Sequence, residues 1–263
     1  MRASDSPTDS RPPGWEVLGR TVTAPVLVRR ATQWTAQYLV PSAAAQRLVD
    51  PTGLEVNGPL PGRALLALAV CRYDDTDLGP YHEVAVSFVV RPHDAPPGTG
   101  AAGRAREFAT GAIGVYIHRL PVDQEFTCAA GREIWGFPKS MTTIDIDGAT
   151  GGGRGGSATV VRLEDDGRHV LSLSLPGGGR LALPAQAPPT YSFLDGVLRR
   201  TTWTTTHHGA TGRFGGAALA LGDHPVADEL RSVGLPRRAL FCSSVARMEA
   251  SFDAPETVVA VRR

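Results

Sequence analysis

The sequence predicts an α+β protein that is mainly antiparallel β, folded as a single domain. Three observations carry this expectation. Most periodic segments are short runs rich in Val, Ile, Leu and Tyr, either apolar throughout or alternating. Helical periodicity is confined to a few places, so strands do not alternate with helices as a parallel sheet would require. No repeat of fixed period and no break in composition divides the 263 residues.

Taken in order, residues 1–14 read as a flexible N-terminal tail, Ser/Asp/Pro-rich and without the apolar segment of an export signal. The domain is expected over 15–263. Residues 21–29 form the first strand. A helix follows at 41–49, where Ser42 can cap a run of alanines. Strands are predicted at 64–72, 83–91 and 114–120, with a short helical turn at 107–112. Residues 141–147 alternate, with Thr142, Ile144 and Ile146 on one face and Met141, Thr143 and Asp145 on the other. Strands 157–163 and 169–175 flank the turn residues Glu-Asp-Asp-Gly-Arg at 164–168. A strand at 214–221 leads to a helix at 223–233, in which Pro225 sits in the first turn and Val226 and Leu230 are spaced i, i+4. Strands at 239–252 and 257–262 complete the chain.

Residues 92–103 and 148–156 are rich in Gly and Pro or Ala and read as loops. The second has neither a Gly-Lys-Ser/Thr nor a GxGxxG leading into a helix, so it is not a nucleotide site. The net charge of +1 gives no field to draw the protein to nucleic acid or an anionic membrane. No run of eighteen apolar residues offers a membrane-spanning helix. Cys71, Cys128 and Cys242 are an odd number without a CxxC pair, which excludes a disulfide framework and points to a cytoplasmic chain. His207 and His208 project to opposite faces of an extended chain and have no third ligand at a useful spacing, so no metal site is expected.

Of 27 basic Lys and Arg residues, Lys139 alone is lysine. Arginine stays protonated, whereas a buried lysine can serve as a nucleophilic amine. Lys139 follows Trp135, Phe137 and Pro138, and precedes Met141. Apolar surroundings disfavour the charged form of an amine. Pro138 fixes its own φ and biases Phe137 toward an extended backbone, which holds the lysine stiffly.

The segment Gly-Arg-Glu-Ile-Trp-Gly-Phe-Pro-Lys at 131–139 resembles the signature of the acetoacetate decarboxylase superfamily. Asp123 and Glu125 are similar to an acidic pair upstream of it, and Leu-Gly-Pro-Tyr-His-Glu at 78–83 to the family's Gly-x-Tyr-x-Glu segment. The resemblance extends from about Trp15 to the C-terminus. It implies a barrel-like or curved-sheet domain with a few flanking helices, and a homo-oligomer. It implies that Lys139 forms a Schiff base with a small-molecule keto acid, that Glu83 orients substrate or shuttles a proton, and that no cofactor takes part. Trp135, Phe137 and Met141 would wall the substrate pocket, and Arg30 or its neighbour Arg29 would bind substrate. Arg132 and Glu133 are expected as a buried ion pair shaping the turn. Glu83 is expected to be dispensable for folding.

Two departures bear on the chemistry. The family's decarboxylases carry a second lysine where this chain has Ser140, and a second pocket glutamate at the position of Leu68. With Trp135, Phe137 and Met141 sealing the pocket, a lysine at 140 would have to be buried at a cost in stability. The leading reading is a decarboxylase-like lyase on a β-keto acid or 2-oxo acid. The alternatives are an aldolase-dehydratase or cyclase of specialised metabolism using the same pocket, and a ligand-binding member without turnover.

Overall fold

A hairpin of β1 (Gly14–Val17) and β2 (Arg20–Thr23) opens the computed structural model, which describes residues 13–95, 100–148 and 158–260. Residues 1–12 of the tail expected at 1–14 and residues 149–156 of the loop expected at 148–156 lie outside the described residues, and Gly14, expected in the tail, begins β1. Pro25 has no amide proton to give a ladder and separates this hairpin from β3 (Val26–Pro41), so the strand expected at 21–29 is two elements. Then come α1 (Ser42–Val49), β4 (Arg63–Thr76), β5 (Tyr81–Val90), α2 (Gly100–Thr110) and β6 (Gly114–Val122). Helix α2 takes up part of the loop expected at 92–103. Next are α3 (Glu125–Trp135), β7 (Lys139–Met141) and β8 (Thr143–Asp147), which divide the strand expected at 141–147 between two sheets. The chain continues through β9 (Thr159–Asp165), β10 (Arg168–Leu175), β11 (Leu181–Ala182), β12 (Thr190–Leu194) and β13 (Val197–Thr201). It ends with β14 (Trp203–Phe214), β15 (Ala218–Leu221), α4 (Pro225–Ser232), β16 (Phe241–Phe252) and β17 (Glu256–Ala260).

Eleven strands form one sheet in the order β11-β14-β16-β3-β4-β5-β6-β12-β13-β17, with β7 also paired to β6. Its neighbours are antiparallel except β12 and β7, which both run parallel to β6 and share its far edge. Strands β15, β10, β9 and β8 form a second sheet. The large sheet curves without closing into a barrel: among the described residues β11 and β17 end the order and do not pair with each other. No helix of the described residues is long and apolar enough to cross a membrane.

Strand β3 shows how the sheet divides its two faces. Trp34, Ala36, Tyr38 and Val40 are buried. Together with Leu66, Leu68 and Val70 of β4 and Val84, Val86 and Phe88 of β5, they pack on Val161, Leu163, Leu171 and Leu173 of the smaller sheet. Each such side chain contributes about 1.5–3 kcal/mol when taken out of water. The alternate residues Gln33, Thr35 and Gln37 point to the opposite face, which encloses a cavity. Leu68, where the resemblance led a second pocket glutamate to be expected in the family's decarboxylases, therefore belongs to the core between the sheets and not to the pocket.

Candidate active site

Two segments bring Lys139 and Glu83 together. The β4/β5 ladder sets Glu83 opposite Cys71, and β5/β6 sets it opposite Val122. Strand β7 lies along β6 with Lys139 beside Leu120. Lysine Nζ and Glu83 Oε2 are 2.9 Å apart, and the two side chains are only 4% and 12% exposed. Nζ also donates to Thr127 Oγ1 at 2.9 Å and lies 4.9 Å above the Tyr81 ring. Tyr73 OH donates to Glu83 Oε1 at 3.3 Å and its ring stacks on Tyr81. Burial pushes the phenols of Tyr73 and Tyr81 well up and the Cys71 thiol up to about 12. All three groups therefore stay protonated near neutrality, and the Tyr73 phenol serves as a donor to Glu83.

The local sequence explains how the amine is delivered. Gln124 caps α3 by accepting from the Thr127 amide at 2.6 Å. The helix ends in a left-handed Gly136, φ 62°. The Gly136 amide donates to the Arg132 carbonyl and the Phe137 amide reaches back to the Gly131 carbonyl, so the left-handed glycine closes the last turn of the helix. Pro138 then carries the chain back beside the helix. Gly131 makes room for the lysine stem: a Cβ there would stand 2.5 Å from Lys139 Cδ. Thr127 lies one helical turn before Gly131 on the same face, so helix α3 supplies both the bed for that stem and the oxygen at its tip.

The cavity beside this group is about 650 Å³. Lys139, Glu83, Trp135 and Phe137 all line it, as do Cys71, Tyr73 and Tyr81. Met141 and Arg30 do not. Met141 is 47% exposed at the end of β7. Arg30 is 64% exposed and sits 3.6 Å from Asp74, while its neighbour Arg29 binds Asp75 and Asp77. The Arg-rich end of β3 is thus held on the outside by acidic residues of β4 and the loop after it. Arg132 and Glu133 are both exposed and form no buried pair; Arg132 instead donates to the Lys139 carbonyl at 3.0 Å. Asp123 accepts from the His82 amide and contacts its ring at 2.7 Å, and Glu125 is exposed in the first turn of α3. Ser140 is exposed. Sequence reasoning assigned no role to Thr127, Tyr73 or Tyr81. The signal for Tyr81 was its place two residues before Glu83 on one strand face; that for Thr127 needed helix α3.

The family model for acetoacetate decarboxylase matches residues 5–258. The chain belongs to the acetoacetate decarboxylase family. No curated protein sequence matches it significantly. Among solved structures, an acetoacetate decarboxylase aligns at TM-score 0.69 with 20% identity, over 92% of each chain. The acetoacetate decarboxylase of Legionella pneumophila aligns at 0.68 with 16% identity, over 90% of this chain and 88% of that one. The enduracididine biosynthesis enzyme MppR, complexed with the condensation product of pyruvate and imidazole 4-carboxaldehyde, aligns at 0.66 with 17% identity, over 95% and 98%. At these identities the neighbours establish the fold. Within the family, the chemistry of this chain has to be argued from its own side chains.

Proposed function

We propose that this chain is a carbon–carbon lyase that forms a Schiff base between Lys139 and the carbonyl of a β-keto acid or 2-oxo acid. The observation that carries the reading is one buried amine, the sole lysine of the chain, held 2.9 Å from a carboxylate inside a cavity. That contact is a route for a proton. Transfer from Nζ to Glu83 leaves a neutral amine, which adds to the substrate carbonyl carbon. The resulting carbinolamine takes the proton back from Glu83 on its hydroxyl, loses water and becomes a protonated imine. The imine then accepts the electron pair of the neighbouring C–C bond. From a β-keto acid carbon dioxide leaves; from a 4-hydroxy-2-oxo acid the hydroxyl gives its proton to the Glu83 carboxylate and its carbon leaves as an aldehyde; in either case an enamine remains. Protonation at carbon and hydrolysis release the product and restore the lysine. Thr127 fixes Nζ, while Tyr73 orients the Glu83 carboxylate.

A second reading, aldol condensation followed by dehydration on the same imine, draws support from the cavity, whose volume lies in the range that holds ligands far larger than a four-carbon acid. One experiment tests the shared step. Borohydride with pyruvate or acetoacetate should fix mass irreversibly on Lys139, and Lys139→Met should abolish it. Labelling of the N-terminal amine alone would overturn the proposal. Release of carbon dioxide or aldehyde then favours the lyase, and consumption of an added aldehyde with loss of water favours the condensation.

A further inference from the structure

The cavity does not end at Lys139. On β4 its wall is made by Leu65, Ala67, Ala69, Cys71 and Tyr73, every second residue of the strand. Cys71 lies in the Glu83 row, and Ala67 lies opposite Gln37 and Ser87. These rows are four residues apart, about 13 Å along the strand. Small side chains at 67, 69 and 85 keep this stretch open. Beside them stand uncharged polar groups: Gln33, Thr35 and Gln37 on β3, and Ser243 on β16 opposite Thr35. None of these four side chains is hydrogen-bonded to another described residue. His207 of β14 also lines the cavity, and its Nε2 is buried with no hydrogen-bond partner among the described residues. Burial pushes this imidazole down, toward its neutral form.

A buried polar atom left unpaired is costly, and a wall of amides and hydroxyls matches a ligand of the same kind. Taking the imine at Lys139 as given, we infer that the substrate carries an uncharged, hydrogen-bonding tail of amide or hydroxyl character that runs from Lys139 along Gln33 and Thr35 toward Gln37. An anionic tail would exchange its hydration for neutral partners, and an apolar one would leave Thr35 and the glutamines without partners.

Trapping with a fixed 2-oxo acid head and a variable tail tests this. The probes are pyruvate, 2-oxononanoate, 2-oxoadipate and 6-acetamido-2-oxohexanoate, compared by the rate of borohydride-fixed label on Lys139. The amide-tailed probe should label about tenfold or more faster than the other three. Its advantage over 2-oxononanoate, which has the same chain length, should fall about tenfold in Gln33→Leu/Gln37→Leu, the loss expected for one or two hydrogen bonds. Equal or faster labelling by pyruvate, 2-oxononanoate or 2-oxoadipate, or an unchanged ratio in the double variant, overturns the tail while the imine stands. No labelling of Lys139 by any probe overturns the imine and the tail together.

Discussion

The stem of Lys139 lies across the backbone of Gly131, so close that a single methyl group at Gly131 would stand 2.5 Å from Cδ and 2.7 Å from Cε. The helix cannot yield at that point, because the Gly131 carbonyl accepts the Phe137 amide that closes the turn. Gly131→Ala should therefore displace the amine. A shift of about 1 Å at a reacting group costs about 10²-fold in rate, and the Lys139 trapping rate should fall by that order. The thermal midpoint should move little, because about 1 kcal/mol of gained helix propensity offsets part of the overpacking. Unchanged trapping with normal folding would remove Gly131 from the site.

Glu83 was expected to be dispensable for folding, and the structure argues otherwise. With both side chains almost fully buried at 2.9 Å, removing one partner strands the other. Glu83→Gln and Lys139→Met should each destabilise by about 3 kcal/mol, and the double variant should lie closer to the wild type than their sum. Urea denaturation of the four proteins reads this. Additive losses would mean that the pair is not coupled.

At position 140 the structure reverses the sequence argument. A lysine there was expected to need burial, yet Ser140 is exposed and the next residue, Met141, does not seal the pocket. Ser140→Lys should change stability by no more than about 0.5 kcal/mol. A loss of several kcal/mol in a denaturation series would place the side chain inward.

Acid stability has a specific anchor away from the cavity. Burial acts to raise the Glu229 carboxyl, but hydrogen bonds from Arg119, at 2.7 Å to each oxygen, and from His118 at 2.9 Å outweigh it and hold the group at about 2. A depressed carboxylate contributes stability that is complete above its ordinary range and is lost as pH falls toward the folded value. Allowing for solvent at the partly exposed Arg119, the contribution is about 2 kcal/mol. Wild type should lose that amount between pH 5 and about pH 2, and Glu229→Gln should start lower and lose correspondingly less. Parallel curves for the two proteins would contradict it.

The motif at 131–139 made Lys139 legible in the sequence as the candidate amine, and alternation made most strands legible, because both are local patterns. The pairing of Lys139 with Glu83 came from the family resemblance and not from spacing, since 56 residues and two strand pairings, β5 with β6 and β6 with β7, separate them. Helix α3 was missed because its residues were read for chemistry, although Gln124 and Gly136 mark its two ends. The role of Thr127 was lost with it. Strand β14 was missed because its Trp-Thr-Thr-Thr-His-His run alternates polar with polar, as one face lines the cavity and the other meets solvent. Met141 was placed in the pocket by its proximity to Lys139 in sequence and Arg30 by the family resemblance, and both stand outside it.

The alternation of β3 also has a meaning for how such a chain can diverge. Trp34, Ala36 and Tyr38 belong to the core, while Gln33, Thr35 and Gln37, interleaved between them, face the cavity. Substitutions at one set leave the packing of the other untouched. Ligand preference on this strand can therefore drift through single replacements without a matching loss of foldedness, whereas the lysine bed of α3, where one glycine serves both the helix end and the amine, has no such freedom.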